Sequence, residues 1–260
     1  MINFDCNFES RVLNARVNLK VILPQKIDYL FETKDYNEFY KYEKFKTLLL
    51  LHGAWDDAQS WVTNTCVSRY ADENNIALVL PSAQNSFYMK QHSGEDYFKF
   101  VTEEILGFVR NIFPLSEKRE DTFVGGNSMG GYGAMKMAFE RPDLFSKAFS
   151  LSGALDIQES ARLLKAIGIS MDNLFKDVRK INGTPDDLSV IMEQSINKKN
   201  VLPEIYQAVG VKDYMYRGNL KFKEKAEELN IPLLYEEGPG EHDWKFWNEY
   251  VEKAIIWCLK

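Results

Sequence analysis

The 260-residue sequence is poor in cysteine and histidine and has no long apolar run, and each shortage closes off a class of protein. Its three cysteines, Cys6, Cys66 and Cys258, lie far apart with no C-x-x-C pair. Neither a disulfide framework nor a dithiol redox motif is expected from such a pattern. There is no H-E-x-x-H and no cysteine–histidine cluster with ligand spacing, so the sequence calls for no metal and no other cofactor. No stretch approaches the roughly 20 apolar residues that span a bilayer. The start, M-I-N-F-D-C-N-F-E-S, lacks the basic and apolar segments of a secretory signal, and a cytoplasmic location is expected. An excess of basic residues is missing too. The formal net charge is −6, which disfavours binding to nucleic acid or to an anionic membrane. No repeat, low-complexity tract or Gly/Ser linker divides the chain, and one domain over residues 1–260 is expected.

What is present is an ordinary globular mix, 45% hydrophobic and 27% charged, enough to bury a large core. Leu13, Ala15, Val17, Leu19 and Val21 alternate with polar residues, the period of an antiparallel strand with one wet face. Leu48 to Leu51, Ile76 to Leu80 and Ala148 to Leu151 are short continuous apolar runs, as suits strands covered on both faces of a parallel sheet. Between them lie helical stripes. Tyr97, Val101, Ile105, Phe108 and Ile112 form one. The segment Leu220 to Leu229 gives a second, and Trp247, Val251, Ala254 and Cys258 a third. Strands alternating with helices predict an α/β fold with right-handed crossovers. Two segments break the alternation. Residues 24–46 read as a long connection or hairpin. Residues 155–204, mostly polar with one turn signal at Asn182-Gly183, are too long for an ordinary loop and are expected to be a cap-like insertion over one end of the sheet.

The sharpest motif is Gly126-Asn127-Ser128-Met129-Gly130, a G-x-S-x-G between a predicted strand and a predicted helix. That is the setting of a nucleophile elbow. The tight turn lifts the serine hydroxyl clear of the backbone, the glycines leave room where strand and helix close in, and the helix N-terminus points its free N–H groups at the reacting centre. A phosphate loop does not fit, because no G-K-[ST] follows and Lys136 stands where a third glycine belongs.

A serine nucleophile needs a base, and there are three histidines. His242 follows the expected strand Pro232 to Glu236 and precedes the last helix, in the order Ser…Asp/Glu…His. His92 reads as a solvated loop residue. His52 reads as a hydrogen-bonder that fixes its loop. The best acid is Asp213, just past the run Ile205 to Val209, with Asp156 as its rival and Asp243 too close to His242 to face it. The oxyanion hole needs two backbone donors, for which Met129 and Ala54 are the candidates. Trp55, His52, Trp61, Trp244 and Phe175 are candidates to bound the substrate; Phe175 is the one aromatic of the insertion.

At these residues the chain resembles the putative-esterase group of α/β-hydrolases: tributyrin esterases, feruloyl and acetyl xylan esterases, and S-formylglutathione hydrolases. The matching segments are L-L-L-L-H-G at 48–53 with Trp61, F-V-G-G-N-S-M-G-G-Y-G at 123–133, L-S-G-A-L-D at 151–156, V-K-D-Y-M-Y at 211–216 and E-E-G-P-G-E-H-D-W at 236–244. V-N-L-K-V-I-L-P at 17–24 also fits, and the likeness covers nearly the whole chain, nearest to the tributyrin-esterase branch. The resemblance implies Ser128, Asp213 and His242 as a catalytic triad, and a nine-strand-like sheet with an antiparallel start. Trp55-Asp56-Asp57 stand where such proteins often carry small residues, which narrows the acyl pocket or makes it more acidic.

The expected activity is hydrolysis of short acyl esters, on small molecules or acetylated or feruloylated carbohydrate, through an acyl-enzyme. Thioester cleavage and acyl transfer use the same triad and stay open. A noncatalytic binding protein on this scaffold is the reading from another class, since fold does not dictate function. Assembly with further copies of the chain also stays open.

Overall fold

In the computed structural model the described residues are 1–25, 41–168, 170–198 and 201–260. They build one sheet with strand order β1-β2-β4-β3-β5-β6-β7-β8. The strands are β1 (Ile2–Ser10), β2 (Ala15–Leu23), β3 (Lys46–Leu51), β4 (Ile76–Pro81), β5 (Thr122–Asn127), β6 (Lys147–Leu151), β7 (Glu204–Gly210) and β8 (Leu233–Gly238). β1 and β2 form an antiparallel hairpin and β2 runs antiparallel to β4. Every later pairing is parallel. The sheet is thus mainly parallel with an antiparallel start, as expected, but it has eight strands among the described residues rather than nine.

The parallel strands are continuous apolar runs because both faces are buried. Leu49 and Leu51 point into one core and Leu48 and Leu50 into the other, the period of two that a strand imposes. Each buried leucine contributes about 1.5–3 kcal/mol. On the first face lie α5 (Met129–Glu140) and the helical segment of α3 (Tyr97–Lys99), a π-helical turn (Phe100–Ile105) and α4 (Leu106–Ile112). On the second lie α1 (Ser60–Asn64), α2 (Val67–Glu73) and α9 (Trp244–Cys258). α8 (Tyr216–Glu228) buries Phe222 and Ala226 in the first core.

Two sequence expectations shift here. The stripe read from Tyr97 to Ile112 runs true as far as Ile105. The π-helical turn then rotates the following residues, so Leu106 and Val109 are buried while Ile112 is 58% exposed. Antiparallel N-terminal strands are expected, but β1 lies outside the residues that the alternation at Leu13 to Val21 marks. Its Ile2, Phe4, Cys6 and Phe8 are half-buried and alternate with exposed polar residues, and Phe8 stacks on Phe108 with ring centroids 4.3 Å apart.

The connection expected at 24–46 falls largely outside the described residues. The segment between β6 and β7 contributes two helices, α6 (Ile157–Ala166) and α7 (Leu188–Asn197). α7 packs beside α5 and α8, and the C-terminal end of α6 is the part that reaches the site described next. No helix among the described residues is long and apolar enough to cross a membrane.

Candidate active site

The C-terminal ends of the parallel strands carry the chemistry. β5 ends at Asn127 and α5 begins at Met129, so the chain reverses at Ser128. Its φ is 52° and ψ −118°, a strained geometry for a residue with a side chain. The turn is held by Ser128 N–H donating to Leu151 O at 3.0 Å and by Ala154 N–H donating to Ser128 O at 3.0 Å. A Cβ on Gly126 would lie 2.5 Å from Leu51 O, and one on Gly130 would collide with the same carbonyl. The two glycines of the motif are therefore required by the approach of β3.

His242 sits in the loop between β8 and α9. Its Nε2 is 3.0 Å from Ser128 Oγ. Its Nδ1 is 3.0 Å from both carboxylate oxygens of Asp213, which lies in the turn after β7. Asp213 is buried, and Met215 N–H donates to its Oδ1 at 2.7 Å. The two loops are joined through backbone. Val211 N–H donates to Gly238 O at 2.9 Å and Lys212 N–H to Gly240 O at 3.0 Å. Gly210 packs against Gly240 so tightly that a Cβ there would lie 2.5 Å from the Gly240 carbonyl oxygen. The imidazole lies between two aromatic rings: Tyr214 at 4.3 Å and Trp247 at 5.0 Å, the latter edge-on. Burial, then the neighbouring Asp213 charge, pushes the Tyr214 hydroxyl up to about 12.

The rival carboxylates have other work. Asp156 caps α6, accepting from Glu159 N–H at 3.0 Å, and pairs with Lys221. Asp243 caps α9, accepting from Phe246 N–H at 2.9 Å. His92 is exposed.

On the far side of Ser128 is the loop after β3. His52 is buried there. Ala83 N–H donates to its Nε2 at 2.9 Å, which leaves Nδ1 to donate to Gly53 O at 2.7 Å. Burial holds its pKa below the ordinary histidine value. Tyr88 Oη donates to His52 O at 3.0 Å. These bonds fix the loop in which Ala54 presents its backbone. Met129 is the first residue of α5, where helix geometry leaves an N–H without an intrahelical acceptor.

Ser128 opens onto a cavity of about 390 Å³. One wall is Ala54, Trp55 and Asp56, another Tyr214, His242, Asp243, Trp244 and Trp247, and a third Leu164 and Ile167 at the end of α6. Of the five residues expected to bound substrate, Trp55 and Trp244 are on this cavity. Three are corrected. His52 is buried in its loop, held by backbone groups. Trp61 is fully buried, donating from Nε1 to Leu51 O at 3.0 Å, and touches the site only by supporting Trp244 edge-on at 5.2 Å. Phe175 is buried in the first core, away from the cavity wall. Tyr214, Trp247, Leu164, Ile167 and Asn127 were not singled out. Tyr214 had a signal in hand, since it adjoins Asp213. In the sequence Trp247 stands out as a member of a helix stripe and not as a wall of the site. Among the described residues, no group of three or more His, Cys, Asp or Glu is placed to hold a metal ion.

The model of the putative-esterase family matches residues 10–257. The chain belongs to this family. An acetyl esterase of Caldicellulosiruptor saccharolyticus is 34% identical to it over 98% of this chain and 97% of that protein. Among solved structures, this esterase is similar to the fluorophosphonate-binding serine hydrolase F of Staphylococcus aureus in its substrate-bound form, with 30% identity, a TM-score of 0.88, and coverage of 100% and 98% of the two chains. It is also similar to the S-formylglutathione hydrolase of Staphylococcus aureus, with 29% identity, a TM-score of 0.87, and coverage of 100% and 99%. A ferulic acid esterase, at 19% identity and a TM-score of 0.79, shares the fold. The chain is a serine esterase of the α/β-hydrolase fold.

Proposed function

We propose that Ser128 is the nucleophile, His242 its general base and Asp213 the acid that orients the imidazole, and that the esterase cleaves short acyl esters through an acyl-enzyme. The observation that carries this reading is His242, which bridges Ser128 Oγ and the Asp213 carboxylate at 3.0 Å on either side. The Ser128 hydroxyl attacks the ester carbonyl as its proton passes to Nε2. Nδ1, facing a carboxylate, keeps its proton, and the imidazolium that forms is stabilised by the Asp213 charge. The N–H groups of Met129 and Ala54 receive the oxyanion. His242 returns the proton to the leaving alcohol, and water repeats the sequence on the acyl-enzyme.

The end of α6 partly roofs the cavity with Leu164 and Ile167, in keeping with a cap contributed by the 155–204 segment within a single domain. A small acyl group fits against these two side chains. Acetyl to butyryl esters are expected to exceed octanoyl and feruloyl esters in kcat/KM. The polar lining beyond Asp56 suits a hydroxyl-rich alcohol such as a sugar. The three cysteines are all unpaired, which suits a reducing compartment such as the cytoplasm.

The test is covalent. A fluorophosphonate should label the wild-type protein once, with the mass shift on the peptide containing Ser128. Ser128→Ala should lose both the label and acetyl-ester hydrolysis while keeping its far-ultraviolet spectrum. A folded Ser128→Ala protein that still hydrolyses acetyl esters rules the assignment out. Thioester cleavage is the second reading, favoured by the similarity to an S-formylglutathione hydrolase at 29% identity. Comparing a formyl or acetyl thioester with the matching oxygen ester separates the two.

A further inference from the structure

Asp56 is a close neighbour of Ser128. A Cβ built on Gly53 would lie 3.1 Å from Asp56 Oδ2 and 3.4 Å from Ser128 Cβ, so carboxylate and nucleophile flank the same glycine. The same point is 3.1 Å from Asn127 Nδ2. Asn127 is fully buried and lines the cavity, and neither its Oδ1 nor its Nδ2 has a hydrogen-bond partner among the described residues. A buried amide without partners is costly.

Asp56 also borders a second cavity of about 410 Å³, lined in part by Arg16, Asn18, Asp57, Gln84 and Glu95. Asp56 lines both cavities. Among the described residues no Lys or Arg lines the first cavity, and the second has one basic residue, Arg16, which pairs with Glu9 at 3.4 Å. An ester held at Ser128 has two arms. Leu164, Ile167, Trp244 and Trp247 make one side of the first cavity apolar, which suits the acyl arm. The other side carries Asp56, which suits the alcohol arm. Burial lifts the Asp56 carboxyl above its usual range, partly offset by hydrogen bonds from Ser60 and the Gly53 backbone. The same burial weakens solvent screening of its charge when it is ionised.

We propose that Asp56 determines which alcohols this esterase accepts: its carboxylate favours esters and thioesters whose leaving group is neutral or cationic and disfavours anionic ones. The inference rests on the esterase reading above and deepens it. A leaving thiol that carries carboxylates, such as glutathione, meets repulsion at this point, whereas an uncharged polyol or an ammonium-bearing alcohol does not. The exposed ring of Trp55, next to Asp56 on the same cavity, adds attraction for a cation.

The experiment compares three acetates of matched size: acetylcholine, its uncharged isostere 3,3-dimethylbutyl acetate, and an acetate ending in a sulfonate. The readout is kcat/KM at about pH 8, where an ordinary carboxylate is ionised. In the wild type the order should be cation, neutral, anion. Asp56→Asn should shrink the cation-to-anion ratio by about threefold to tenfold, the size of one charge at close range in a partly wet site. Added salt should compress the ratio in the wild type, where screening acts on a real charge, and much less in Asp56→Asn. The salt series needs no variant, so it stands even where Asp56→Asn folds poorly. A wild type that treats the cation and the anion alike, or a ratio unchanged in folded Asp56→Asn, overturns the inference while hydrolysis of the neutral acetate leaves the esterase reading intact. If all three acetates are inert and fluorophosphonate leaves Ser128 unlabelled, both fall together.

Discussion

The loop after β3 and the loop after β8 each place one histidine near Ser128, with both ring nitrogens engaged. The partners differ. His52 is held by a backbone N–H and a backbone carbonyl, 2.9 and 2.7 Å away. His242 is held by a hydroxyl and a carboxylate, each at 3.0 Å. Backbone partners neither give up nor take protons in the working range, so His52 is locked in one tautomer and serves as a strut. A hydroxyl that attacks and a carboxylate that stabilises charge let His242 gain and lose a proton during turnover. The pair shows that two hydrogen bonds to a histidine reveal its role only when the partners are identified.

The comparison can be broken first at His242. His242→Asn should lower kcat by about 10⁴–10⁶, as losses of the base in serine hydrolases do. Asp213→Asn should cost about 10⁴ by removing the charge and favouring the wrong tautomer. Steady-state hydrolysis of an acetyl ester measures both. If Asp156→Asn proves crippling instead, the acid has been placed on the wrong strand. His52→Gln should behave differently, losing about 1–3 kcal/mol of stability through the orphaned Ala83 N–H while kcat falls less than in either of the other variants. Urea titration alongside the same assay separates the two outcomes.

His52 also leaves a mark on the pH dependence of stability. Burial depresses its folded-state pKa below the unfolded value near 6.5. Its stabilising contribution is therefore complete above that value and is lost as pH falls toward the folded pKa, because the unfolded chain takes up the proton first. Wild type should lose more melting temperature than His52→Gln between about pH 7 and pH 5. Parallel curves would show that some other group sets the acid limit. The smallest effect is expected at the cavity walls. Trp55 stands at the rim, 66% exposed, whereas Leu164 is buried. Leu164→Ala should raise the octanoyl-to-acetyl ratio in kcat/KM by roughly tenfold and Trp55→Ala by only a few fold, since each methylene in a pocket is worth about 1–3 kcal/mol. Equal effects would mean that the rim, not the α6 wall, limits acyl length.

The parallel strands were legible because burial on both faces leaves nothing but apolar residues in Leu48 to Leu51 and Ile76 to Leu80. Each residue of the proposed triad sits just past a strand end, and that position together with chain order singles out His242 in the sequence. β1 escaped because its alternation is built from Ile2, Phe4, Cys6 and Phe8 at an edge, where the apolar face is only half covered. The cavity wall was read least well. Trp61 and Trp244 are both near the site in sequence terms, yet one is core and one is wall. That choice is made by which way a helix is turned, and α6, α9 and the loop after β3 meet only in three dimensions.

The backbone clasp between the turn after β7 and the loop after β8 has a dynamic consequence. Val211 and Lys212 donate their amide protons to the carbonyls of Gly238 and Gly240, so neither loop can swing open alone without breaking both bonds. The amide protons of these two residues should therefore exchange with solvent at a common rate that follows the joint opening of the Asp213 and His242 loops. A label on two backbone sites would then report how often the proposed charge-stabilising pair comes apart between turnovers.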